Sequence, residues 1–251
     1  MQPTRPTLLV FTLGASADSS RKPWLPLAGM GLARDLFAAC LEEALQAGRA
    51  CGMRLRVAGP AGFPIAPDVT ATPQHGSGFG ERFRGALRVA FAAADGPVVV
   101  VGTDSPGLKS ATVARALGLL AEDPGTVVIG PARDGGFYLL AAAQPLDLAL
   151  AETSFCRRDT LVRLRASVEA MGRSVVLLQP LGDLDRRADL ERFAAAGRAA
   201  AGPTLDPAWR RWAAAVERLL TVLSRPLSPA VLGMPRPALV PVRTGRAPPR
   251  L

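Results

Sequence analysis

The sequence predicts an α/β protein, a three-layer α/β/α sandwich whose sheet is mixed but mostly parallel. Two observations lead there. Val98, Val99, Val100 and Val101 are consecutive β-branched residues, the pattern of a strand buried on both faces of a parallel sheet. Apolar runs of this kind alternate along the chain with helix-length stretches whose apolar residues recur every three or four positions, as in a sheet covered by helices.

In chain order, a strand is expected at Leu8–Thr12. A helix follows from about Leu32 to Ala47, with Leu36, Phe37, Cys40, Leu41, Ala44 and Leu45 on one face, and then a strand at Leu55–Ala58. Pro60, Pro64, Pro67 and Pro73 mark a loop. Next come a helix at Gly80–Ala94 that aligns Phe83, Leu87 and Phe91, the Val98 strand, and a helix near Val113–Ala121. Strands at Thr126–Ile129 and Phe137–Ala141, a helix at Asp159–Met171, a strand at Ser174–Leu178 and a helix from about Arg187 complete the body. A last helix, Pro207–Leu223, carries Trp209, Trp212, Val216, Leu219 and Leu220 at helical spacing, a stripe suited to packing on the body. Residues 1–200 thus read as one domain, 201–225 as a helix packed on it, and 226–251 as a flexible tail rich in Pro and Arg.

Two strand-to-turn units carry the chemistry. The Val98 strand runs into Gly102-Thr103-Asp104-Ser105-Pro106, and the next strand runs into Arg133-Asp134-Gly135-Gly136. Ligands of α/β proteins lie at the carboxyl ends of parallel strands, and a carboxylate there calls for a partner, because an unpaired buried charge is costly. Mg²⁺ or Mn²⁺ is such a partner, since it takes one or two carboxylates and completes its shell with water and phosphate. Helix capping explains Asp104 as well, and an ordinary Asp-Gly turn explains Asp134. A third acidic turn, Gly182-Asp183-Leu184-Asp185, places alternate carboxylates on one side of an extended segment, where they suit a single cation; capping by Asp185 or Asp189 is the competing account.

These segments, VVVVGTDSPGL, VVIGPARDGGFYLLA and VVLLQPLGDLDRRADLERF, with GFGERFRGAL upstream, resemble bacterial GT-A-type glycosyltransferases of the nucleotide-diphospho-sugar transferase superfamily, encoded beside radical-SAM, selenium-related or arsenosugar genes. Molybdenum cofactor and 2-phospholactate guanylyltransferases are more distant relatives. The resemblance spans roughly residues 7–195 and rests on the order of the motifs. It departs at the first loop, where Gly14 to Trp24 lacks the Lys-Thr-Arg-Leu signature of the nucleotidyltransferase relatives.

The resemblance implies a metal-dependent transfer from a nucleoside diphosphate sugar to a small-molecule acceptor. Asp104 would hold Mg²⁺ or Mn²⁺ with Asp183 and Asp185, and Arg21 or Lys22 would meet diphosphate charge. Asp134, Gly135 and Gly136 would position donor or acceptor, with Gly14, Thr103, Glu81 and Arg133 as further substrate contacts. Nucleotidyl transfer from an NTP to a phosphorylated acceptor, with release of pyrophosphate, is the alternative; a non-catalytic binding protein is a third reading.

Composition bounds the remainder. The 251 residues suffice for one large core, and no apolar run approaches the ~20 residues of a membrane span. With no signal-peptide pattern, a cytoplasmic setting is expected. Cys40, Cys51 and Cys156 lack zinc-site spacing and are odd in number, so buried small hydrophobes are the default, although Cys156 falls where the resembled family has an acceptor-side loop. The single histidine, His75, lies in a polar loop. Of the net charge of +9, residues 202–251 supply +6, from eight arginines against Asp206 and Glu217. That tail has no aromatic residue beyond Trp212, and Lys22 and Lys109 are the only lysines in the chain. Nucleic-acid binding is therefore not expected from the charge, and nothing in the sequence speaks to oligomeric state.

Overall fold

The computed structural model describes residues 4–14, 30–199 and 207–223. Seven strands form one sheet in the order β3-β2-β1-β4-β6-β5-β7. They are β1 (Thr7–Phe11), β2 (Arg54–Gly59), β3 (Val69–Pro73), β4 (Val98–Val101), β5 (Val127–Pro131), β6 (Phe137–Ala142) and β7 (Val175–Leu177). All pairings are parallel except those of β6, which runs antiparallel to both β4 and β5. The helices are α1 (Met30–Ala50), α2 (Phe79–Ala93), α3 (Ser110–Glu122), α4 (Asp147–Glu152), α5 (Thr160–Ala170), α6 (Arg187–Ala199) and α7 (Pro207–Leu223).

Two elements escaped the sequence reading. β3 lies in the proline-marked segment expected to be a loop. It is an edge strand in which only Val69 and Thr72 of its five residues are buried, so it lacks an apolar run, and Pro73 closes it where an edge tolerates proline. The short helix α4 has only six residues.

Every residue of β1 and β4 is buried, because successive side chains enter opposite layers. Leu8, Val10, Val99 and Val101 pack with Ala44 and Leu45 of α1 and Val113, Ala116 and Leu120 of α3. Leu9, Phe11, Val98 and Val100 pack on the other face with Phe83 and Leu87 of α2 and with Leu164 and Val168 of α5. A third cluster lies outside this sandwich, with Leu36, Phe37 and Cys40 of α1 against Leu190 and Ala194 of α6 and Val216 and Leu219 of α7. Leu184, from the acidic turn before α6, is fully buried in it. The side chains of Trp209 and Trp212 and the whole 226–251 tail lie outside the described residues. Among the described residues no helix is long and apolar enough to cross a membrane.

Leu219 is fully buried between three helices. Leu219→Ala is expected to cost about 3 kcal/mol through lost transfer energy and an incompletely collapsed cavity, read as a lowered denaturation midpoint at unchanged m-value.

Candidate active site

The reversed direction of β6 determines what meets at one edge of the sheet. Val101 at the end of β4 pairs with Leu139 near the start of β6, and Pro131 at the end of β5 pairs with Phe137. The Asp104 turn and the Asp134 turn therefore lie side by side. The segment after β7 then crosses the same edge. Leu178 donates to Ile129 O at 2.9 Å, Leu181 N to Pro131 O at 3.1 Å, Arg133 N to Leu181 O at 3.1 Å, and Leu184 N to Asp104 O at 2.8 Å. This carries Asp183 and Asp185 across to the end of β4, and a cleft of about 630 Å³ opens there with Asp104, Asp134, Asp183 and Asp185 in its lining.

The four carboxylates differ in their surroundings. Asp104 is exposed, contrary to the expectation of a carboxylate desolvated at a strand end. Nor does it cap the following helix, since α3 begins at Ser110 after the extended residue Lys109. The desolvated member is Asp183. Ser105 Oγ donates to its Oδ1 at 2.6 Å, while its Oδ2 is buried with no hydrogen-bond partner among the described residues. Burial, followed by the charges of Asp134, Asp104 and Asp185, pushes its carboxyl up to about 7. Asp134 holds its own turn, with Oδ1 accepting from Gly136 N at 2.8 Å. Asp189 does the local capping, accepting from Asp185 N at 3.1 Å and Arg186 N at 2.7 Å. The Leu184 between Asp183 and Asp185 is anchored in the core.

Thr103 is buried and donates to Thr12 Oγ1 at 3.2 Å, and Gly14 N donates to the same oxygen at 3.0 Å, which ties the β1 and β4 turns together. Thr12, Thr103 and Gly136 all line the cleft. Four predicted contacts fall outside its lining. Gly14 makes its turn at φ +82° against Phe63. Glu81 accepts from Ser77 N and Ser77 Oγ, both at 2.8 Å, and these bonds hold its carboxyl below the usual range and fix Ser77 just before α2. Arg133 is exposed, with its side chain beside Gly182. Gly135 has φ +96°, and a Cβ there would lie 2.0 Å from Arg158 O, so the bare backbone lets the residues before α5 close against the Asp134 turn. Gly135 O also accepts from Leu161 N at 3.0 Å. Arg21 and Lys22 lie outside the described residues.

Three features went unforeseen. Arg157, Arg158 and Arg186 line the cleft, and among the described residues neither Arg158 nor Arg186 has an ion-pair partner, whereas Arg157 shares Asp159 at 3.1 Å. The Arg157-Arg158 pair beside Cys156 was the available signal. Glu43, buried mid-helix in α1, accepts from Gly107 N at 3.0 and 3.1 Å and so braces the Asp104 turn from behind. Phe11, Phe79, Phe83, Phe137 and Phe155 form the aromatic wall of the cleft. His75 is exposed and outside the cleft lining, and Cys156, exposed at φ +59°, is within it.

Among the described residues no three His, Cys, Asp or Glu side chains are drawn together as a ready metal shell. The buried, unpartnered Asp183 oxygen beside Asp104 nevertheless fits a hard cation held by one or two carboxylates and completed by substrate oxygens.

The fold is that of the GT-A-like nucleotide-diphospho-sugar transferase structures. A crystal structure from Desulfovibrio desulfuricans G20, provisionally named a nucleotide-diphospho-sugar transferase, superposes with a TM-score of 0.72 at 19% identity over 87% of this chain and 98% of that one. A looser likeness joins the chain to Rv0371c of Mycobacterium tuberculosis H37Rv in complex with manganese, at TM-score 0.44 and 20% identity over 75% of this chain and 97% of that one. CMP:2-keto-3-deoxy-manno-octonic acid synthetase complexed with CTP is similar at TM-score 0.46 and 15% identity, over 78% of this chain and 99% of that one. The profile of the family described as an uncharacterized protein conserved in bacteria (DUF2064) matches residues 36–157, just under half of the chain. No curated protein matches.

Two outcomes are expected. Asp183 has a folded-state pKa raised from 3.8 to about 7. Its contribution to stability is fully present below pH 3.8 and is lost as pH rises through 7. In metal-free buffer Asp183→Asn should therefore gain on the wild type between pH 4 and 7.5, by about 2 kcal/mol after allowance for solvent screening, measured by chemical denaturation across that range. Gly135→Ala, blocked by both φ and the Arg158 carbonyl, is expected to cost more than about 2 kcal/mol and to raise amide exchange in residues 157–161, whereas Gly107→Ala, strained in φ but with open space around it, should cost less.

Proposed function

We propose that the protein is a divalent-cation-dependent glycosyltransferase that takes a nucleoside diphosphate sugar as donor and a small molecule as acceptor. The observation that carries the reading is the convergence of Asp104, Asp134, Asp183 and Asp185 on one cleft, with one Asp183 oxygen buried and, among the described residues, unpartnered. Carboxylates gathered at such cost to stability argue for a cationic ligand. Asp104 and Asp183 would hold Mg²⁺ or Mn²⁺, with Asp185 adjacent. The cation, when bound, offsets the charge that develops on the departing nucleoside diphosphate.

The chain's own residues supply the rest. Ser105 fixes the Asp183 carboxylate through Oδ1 and leaves Oδ2 directed elsewhere. Glu43 and the Thr12–Thr103 hydrogen bond hold the Asp104 turn in place before ligand arrives, which lowers the ordering cost of binding. Arg158 and Arg186, in the lining of the cleft, meet phosphate charge. Asp134 keeps one oxygen on its own turn and presents the other to a hydroxyl of sugar or acceptor. Water is limited on the opposite side by the aromatic wall.

The test is thermal unfolding with and without Mn²⁺ across nucleotide sugars and NTPs. The cognate nucleotide sugar at a hundredfold excess over its Kd should stabilise by about 2.7 kcal/mol, only with Mn²⁺, and not in Asp104→Ala. A Mn²⁺-dependent shift confined to NTPs would instead assign nucleotidyl transfer, and no shift with any nucleotide would remove the transferase reading.

A further inference from the structure

The aromatic wall has more order than water exclusion requires. Phe79 and Phe83, one helical turn apart on α2, stack at 5.7 Å with planes 12° apart. Phe11 from the end of β1 meets both edge-on at 5.3 Å. Phe155, from the loop before α5, leans on both at 5.5 and 5.3 Å, and Phe137 of β6 meets Phe83 at 5.8 Å. Phe11 and Phe83 are buried, but Phe79, Phe137 and Phe155 are only half-buried although each packs on another ring. Their remaining surface faces the cleft, within the same lining as the carboxylates. Apolar ring surface left open to water inside a concave site is surface that a ligand would cover.

The geometry points to an acceptor with an apolar, aryl-type body and a hydroxyl at one end, its ring lying on Phe79, Phe137 and Phe155 and its hydroxyl reaching the Asp134 and Asp104 side. This rests on the transferase reading and adds the acceptor's class to it. The other candidate for an aromatic platform is the donor's nucleobase, and two observations disfavour it. The wall consists of phenylalanines, which offer no hydrogen-bonding group to read a base edge. It also belongs to the core layer of α2 and α5, whereas the turn after β1 at Gly14 packs on Phe63, which belongs to the opposite layer of α1 and α3. A sugar acceptor without an apolar body would leave the three ring faces wet.

The experiment uses 4-fluorobenzyl alcohol as probe, followed by ¹⁹F NMR line width on the full chain with no donor present, so that its outcome does not depend on nucleotide binding. Saturable binding is expected, weakened about tenfold by Phe155→Ala and by Phe79→Leu, the second of which keeps apolar packing while removing a ring face. Glycerol should not compete, and a nucleoside diphosphate with Mn²⁺ should leave the probe bound. Displacement of the probe by uridine, guanosine or cytidine alone would assign the wall to the base and overturn the proposal. So would the absence of saturable binding, or binding indifferent to both substitutions in variants whose unfolding midpoints match the wild type. A failed nucleotide shift with intact probe binding would remove the transferase reading and leave the aryl site standing.

Discussion

The hydrogen bond from Leu184 N to Asp104 O, 2.8 Å long, is the contact on which the candidate site depends. It joins the third acidic turn to the first, and it is held from both ends. On one side the Leu184 side chain is fully buried among α1, α6 and α7. On the other, the Asp104 turn is braced by Glu43 through Gly107 N and by Thr103 on Thr12. The C-terminal helices, remote from the cleft in sequence, thus contribute to its geometry through packing: the third core cluster sets where Leu184 sits, and Leu184 sits between Asp183 and Asp185. Side chains anchored in this way lose their freedom during folding rather than on ligand binding.

The antiparallel strand β6 is the second constraint. A parallel crossover at that place would have carried the chain to the far edge of the sheet and separated Asp134 from Asp104. A tight turn through Asp134, Gly135 and Gly136 reverses it instead. Gly135 also gives up its side-chain volume to the Arg158 carbonyl, so one turn serves both the strand reversal and the approach of the arginine-bearing segment.

What the sequence made legible follows from this construction. Asp104, Asp134, Asp183 and Asp185 were readable because each stands in a short polar turn straight after an apolar run, a local contrast that periodicity exposes. Their unequal burial was not readable. Which carboxylate loses water depends on what the fold packs around it, and desolvation falls on Asp183 rather than on Asp104. The aromatic wall was hidden for the same reason: its rings come from β1, α2, β6 and the loop before α5, and each alone looks like an ordinary core residue. Glu43 was masked by its position inside an amphipathic helix. β3 was missed because an edge strand needs few buried residues, here Val69 and Thr72, and the prolines around it spoke for a loop.

The distribution of charge gives the site its character. The chain as a whole carries an excess of nine positive charges, yet the cleft collects four carboxylates, with Arg157, Arg158 and Arg186 close by. Burial first, and then the charges of Asp134, Asp104 and Asp185, raise the Asp183 carboxyl to about 7. A fold under selection for stability alone would dilute such a cluster or pair each acid with an arginine across a short distance, as α5 and α6 do on their exposed faces with Arg163–Asp159 and Arg187–Glu191. Here Arg158 and Arg186 line the same cleft as the acids, with no ion-pair partner among the described residues. The buried Asp183 carboxyl is thus a local cost to stability that the rest of the fold has to offset.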